Sequence, residues 1–155
     1  YVGVNRPDLV LRLKDDFDGA TPTGSSVGAM QFLKLAEITG RDDFREVVDK
    51  TLAASAETIK KSPYAMAWMM SVADMQLGEH ARLVIAGDEG KQALIKASYQ
   101  VFSPRLICMG NLGQVDQFSA TLQAIEGKSA AYYCLGQSCR EPVSSAGELI
   151  ELLSK

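Results

Sequence analysis

The feature that most constrains the fold of this chain is a change of hydrophobic period close to residue 79. Before it, apolar residues recur at the spacing of a helix face; after it, short apolar runs of strand length alternate with helix-length segments. The chain therefore divides into a helical half, 1–79, and a small alpha/beta half, 80–155. Its 155 residues, 46% apolar and 23% charged, suit one compact unit or two small packed ones.

In the first half, Leu9 to Leu13 reads as a short strand-like piece, broken by the turn-forming run Asp15-Asp16-Phe17-Asp18-Gly19. The stretch Asp18 to Ser26 then launches a helix that starts near Gly24 to Ser26, runs to Thr39 and is capped by Gly40. Val27, Met30, Phe32, Leu33, Leu35, Ala36 and Ile38 cover most of its circumference, so it is expected to be buried on more than one side. A second helix is expected over Asp43 to Lys60, opened by a capping box of Asp43 and Glu46, with an apolar line of Phe44, Val47, Val48, Leu52 and Ile59. A third begins after Ser62 as N-cap, with Pro63 in its first turn, and stops at Gly78. Short links between them predict an antiparallel hairpin array.

The second half reads as strand Arg82 to Ala86, helix Gly90 to Val101 and strand Arg105 to Met109. A helix over Gln117 to Ile125, a strand over Ala130 to Leu135 and a helix over Ala146 to Leu153, capped by Ser145 with Glu148, complete it. Regular alternation predicts parallel pairing with right-handed crossovers. The expected fold class is α+β: antiparallel helices followed by a parallel three-stranded alpha/beta unit.

Charge and composition exclude some functions. A net charge of -3, with lysines and arginines interspersed among acids, leaves no basic stripe for nucleic acid. No apolar run is long enough to cross a bilayer and no signal peptide opens the chain, so a cytoplasmic protein without a membrane partner is expected. The start, Tyr1-Val2-Gly3, has no initiator methionine, which fits a piece of something larger.

Four motifs occur in an informative order: Asp18-Gly-Ala-x-Pro-x-Gly24, the helix start Ser62-Pro63 to Met66, the strand end Val84-Ile85-Ala86-Gly87-Asp88, and Ala131-Tyr132-Tyr133-Cys134-x4-Cys139-x2-Pro142. In this order the chain resembles, over nearly its whole length, the C-terminal part of the thioredoxin-domain-containing proteins related to spermatogenesis-associated protein 20. The resemblance implies an N-terminal thioredoxin-like domain joined to a toroid of alpha hairpins similar to six-hairpin glycosidases and sugar epimerases. This chain would supply the closing helices of an incomplete alpha/alpha toroid and a terminal alpha/beta appendage. One departure is clear: the family reads Pro-Ser-Gly-Asn-Ser where this chain has Pro22-Thr23-Gly24-Ser25-Ser26, so no asparagine amide is carried over to Ser25.

Hairpin toroids bind ligands at one end of their inner helices, and the resemblance puts Asp18, Thr23, Ser25 and Ser26 at such an end. There Asp18 would hold a sugar hydroxyl or act as acid or base, with the hydroxyls as donors. Against this stands a local role, Asp18-Gly19 as a turn and Ser25 or Ser26 as a helix cap, and glycosidic cleavage needs a second, opposed carboxylate that the sequence does not identify. Gly24-Ser25-Ser26-Val27-Gly28 also matches the G-x-S-x-G nucleophile elbow, but no strand runs into it and His80 is the sole candidate base.

Cys134 and Cys139 are redox candidates: at C-x4-C spacing they form a disulfide, hold a metal with Cys108, or stay as buried reduced thiols, the state most expected of sparse cysteines. Thiolates without a nearby histidine make an incomplete zinc site, so no metal is assigned. Val84 to Asp88 with Gly90 lacks the glycine spacing of a dinucleotide loop, and Met66, Met69, Met70 and Met75 with Trp68 read as core filling rather than a cofactor box, so no cofactor is expected.

The leading functional expectation is a structural or assembly role without a complete active site, the partner being the missing upstream part of the same protein or another copy of the chain. The competing one is a sugar-directed enzyme with part of its cleft at Asp18 to Ser26 and a small carbohydrate as ligand.

Overall fold

Thr23 and Gly40 bracket the first helix, α1, Gly24–Thr39. The Thr23 side chain accepts from the Ser26 N–H, and Gly40, at φ 67, takes the left-handed conformation that glycine tolerates while its N–H returns to the Ala36 carbonyl. The computed structural model describes residues 17–111, 113, 115–136 and 138–155; the strand-like piece expected at Leu9 to Leu13 lies outside them. The chain forms two compact units that meet in sequence between Gln76 and Leu77.

In the helical unit, α1 buries one stripe, Ser26, Ala29, Met30, Leu33 and Ala36. Val27 and Leu35 are exposed, which corrects the expectation of burial on more than one side. Helix α2, Asp42–Lys61, follows after Gly40 and Arg41. The expected capping box does not form: the helix begins a residue earlier, with Arg41 as an N-cap that makes no side-chain cap bond. Asp43 instead accepts from Arg41 Nε at 2.9 Å. Acids at 42 and 43 and lysines at 60 and 61 still complement the helix dipole.

The third helix is also built differently from the expectation. Pro63–Met66 form a 3₁₀ turn, and the α-helix proper, α3, spans Ala67–Leu77. Ser62 gives no side-chain cap; the cap comes from Asp18, far away in sequence. Leu33, Val48, Met69, Val72 and Met75 are fully buried. Met66, Met69 and Met75 thus fill core as expected, whereas Trp68 and Met70 are exposed.

The second unit holds β1, Ala81–Ala86; α4, Lys91–Ser98; β2, Leu106–Gly110; β3, Ala130–Leu135; β4, Ser138–Cys139; and α5, Ala146–Leu153. Among the described residues these strands form one sheet in the order β2-β1-β3-β4. Only β1 and β2 run parallel, joined by the α4 crossover; β3 lies antiparallel to β1, and β4 antiparallel to β3. This corrects the expected all-parallel, three-stranded unit.

The cause is the segment before β3. The helix expected over Gln117 to Ile125 is only a 3₁₀ turn at Ser119–Thr121. The chain then reverses at Glu126 and Gly127, φ 49 and φ 80, between mutual backbone bonds of Ile125 and Lys128. Without a full crossover helix the strand enters beside β1 from the opposite end.

The register puts Leu83, Cys108 and Tyr133 side by side on one face, and Arg82, Ile107 and Cys134 on the other. Leu83 and Ile85 on the first face pack with Leu94 and Ala97 of α4, Ala131 of β3 and Leu149 of α5. Ser145 and Glu148 form the expected capping box at the start of α5.

Candidate functional site

Asp18, Thr23 and Ser26 converge, and each is almost wholly buried. Asp18 Oδ1 accepts from the Thr23 backbone N–H at 2.8 Å; Oδ2 accepts from the Ser26 hydroxyl at 3.0 Å and from the Met69 backbone N–H at 2.9 Å. The Thr23 hydroxyl donates to Ser26 Oγ at 2.9 Å, and the Ser26 N–H returns to Thr23 Oγ1 at 3.1 Å. The Asp18 N–H donates to the Ala65 carbonyl at 2.7 Å. One carboxylate thus ties the first turn of α1 to the first turn of α3, answering backbone donors that a helix start leaves without intrahelical partners.

These bonds set the charge state. Burial pushes the Asp18 carboxyl up, but the donors from Thr23, Met69 and Ser26 together outweigh it and hold the group below the usual carboxylate range. A stable anion with its lone pairs directed at fixed donors is a poor acid or base near neutral pH. It is well suited to fixing two helix ends.

Ser25, the fourth residue singled out in the sequence, is exposed and takes no part in this cluster. Ser26 Oγ is bonded to Asp18 and wholly buried, and among the described residues its approach, 17–23, is bent irregular chain rather than the strand that a nucleophile elbow requires. His80 belongs to the second unit.

In that second unit Cys134 and Cys139 form a disulfide across β3 and β4, where they are direct register partners. This corrects the expectation of buried reduced thiols. The signal was present in the sequence, since a glycine at 136 between the two cysteines is a hairpin cue, and Gly136 has φ 59. Cys108 is a free thiol on the opposite sheet face, where desolvation pushes its pKa up against the pull of the Ser98 hydroxyl 3.9 Å away. The register therefore separates it from the pair. Among the described residues, no three His, Cys, Asp or Glu side chains come close enough to hold a metal ion.

Gly87 and Gly90, at φ 90 and φ 82, turn the chain from β1 into α4. Gly87 also needs its missing side chain, because a Cβ there would stand 2.8 Å from Ala124 Cβ. A further contact, which no local sequence pattern signals because its partners lie 34 residues apart, is the ion pair of Arg82 Nη1 with Asp116 Oδ2 at 2.8 Å. It is largely screened from solvent, and Phe118 lies against the same guanidinium.

No family model and no solved structure matches the chain. Among curated proteins, human spermatogenesis-associated protein 20 is 32% identical over 94% of this chain, and the mouse protein of the same name is 30% identical over 94%. This chain is related to spermatogenesis-associated protein 20. It spans about a fifth of the length of those two relatives. An uncharacterized protein of Caenorhabditis elegans, 26% identical over 96% of the chain, extends the relationship. The likeness to spermatogenesis-associated protein 20 thus covers both units rather than one of them. No helix among the described residues is long and apolar enough to cross a membrane.

Proposed function

We propose that this chain is a structural and assembly portion of a larger protein of the spermatogenesis-associated protein 20 kind, without a complete active site of its own. The observation that carries the reading is the engagement of Asp18: the most suggestive acid in the chain directs its oxygens at Thr23, Ser26 and Met69 of its own unit. Its partner in this reading is the remainder of the same protein. Support comes from the relatives, of which the chain spans about a fifth, and from Val27, Leu35, Trp68 and Met70, apolar side chains left exposed on α1 and α3. The finer architecture belongs to the same proposal: α1, α2 and α3 close an alpha/alpha toroid in a cytoplasmic protein whose upstream part includes a thioredoxin-like domain.

A sugar-directed activity would need Asp18 to turn a lone pair outward, at the expense of bonds to two helix starts. Melting curves with a panel of monosaccharides test this. The structural reading predicts that Asp18→Asn lowers the melting temperature by about 5–10 °C, as expected for the loss of roughly 2–3 kcal/mol of charge-assisted hydrogen bonding, and that no sugar shifts either protein. A sugar that raises the wild-type melting temperature, with the shift abolished in Asp18→Asn, would overturn it.

A further inference from the structure

The outer edge of the sheet is closed by one continuous segment running back along β3. Ser138 and Cys139 pair with Leu135 and Cys134, the Arg140 N–H donates to the Tyr133 carbonyl at 2.9 Å, and Val143 and Ala131 exchange backbone bonds of 2.8 and 3.1 Å. The near end of this closure rests on β4, which spans only Ser138–Cys139. So short a strand contributes little hydrogen bonding of its own. The covalent Cys134–Cys139 bond holds it there.

The two sulfurs do not stand in equivalent places. Cys134 is wholly buried on β3. Cys139 is half-buried on the outermost strand, and Leu135, Gly136 and Ser138 around it are exposed. A thiolate arriving from solvent therefore reaches Cys139 Sγ first, with Cys134 as the leaving sulfur. Beyond the hairpin, α5 is anchored independently through Leu149 in the core and through its Ser145 to Glu148 capping box.

We propose that the Cys134–Cys139 disulfide is a reversible redox latch on the sheet edge, opened by a dithiol reductant and releasing β4 from β3 while the rest of the unit stays folded. A thiolate of the dithiol attacks Cys139 Sγ. The Cys134–Cys139 bond breaks and its electron pair leaves on Cys134 Sγ, which takes a proton. The second thiol of the reductant then attacks the mixed disulfide, freeing Cys139 as a thiol and leaving the reductant as a cyclic disulfide. Two electrons have passed from reductant to protein. The opened form presents the main chain of Cys134 and Leu135 as an unpaired edge, the surface on which another strand adds.

The test uses the intact chain without denaturant, with dithiothreitol as the probe, thiol counting by mass after alkylation, and amide exchange by segment. The expected result is a rise in alkylatable thiols at positions 134 and 139, together with exchange at 134–143 faster by about tenfold or more and little change at 81–86 or 146–153. The variant Cys139→Ser should show the same fast exchange without reductant. Resistance of the bond to native reduction would overturn the proposal, as would reduction that leaves exchange at 134–143 unchanged. So would reduction that accelerates exchange across the whole unit, because the bond would then be a global staple.

Discussion

Asp18 shows how far one side chain's meaning depends on partners that lie far off in sequence. Thr23 and Ser26 are local to it, and the hydroxyl cluster was visible from the sequence as a candidate site. Met69, which donates to the same carboxylate, lies 51 residues away, and no local pattern identifies a long-range cap. The same geometry fixes a pH dependence. The folded carboxyl sits below its ordinary value of 3.8, so as pH falls the unfolded chain takes up the proton first and stability declines until the folded carboxyl also protonates. The stabilisation from Asp18 is therefore present above about pH 4 and is lost in more acid solution. Denaturation curves should show Asp18→Asn well below wild type at pH 7 and the gap closing below about pH 4; a gap independent of pH would contradict the ionised clasp.

At the scale of elements, helices were more legible than strand directions. Glycine and hydroxyl caps placed α1 and α5 because such caps act within a turn or two. The apolar coverage of α1 misled, since burial depends on neighbours that the periodicity does not name. For β3 the failure was one of connection: the residues of the strand were readable, but its direction depended on whether the preceding segment formed a crossover helix. Its short apolar content, with Phe118, Leu122 and Ile125, resembled a helix face, yet it holds a 3₁₀ turn and a tight reversal. Gly127, at φ 80, carries that reversal. Replacing it with Ala should destabilise the second unit by roughly 1–2 kcal/mol through backbone strain alone, as nothing in the structure obstructs a Cβ there. Chemical denaturation reads this directly, and an unchanged midpoint would mean that the turn does not direct β3.

For the whole molecule, we propose that both units belong to a larger assembly and that the chain holds no complete active site of its own. Three observations bear on it together: the relationship covers 94% of the chain but about a fifth of the relatives, the Asp18 carboxylate is engaged within its own unit, and apolar side chains on α1 and α3 face solvent. Faces of this kind bury their area when a partner is supplied and draw copies together when it is not. Light scattering of the chain across a concentration series tests the claim most directly. The account predicts a mass that rises with concentration and a return to defined stoichiometry when the remainder of the protein is supplied; a soluble monomer of constant mass at every concentration, indifferent to that addition, would contradict it.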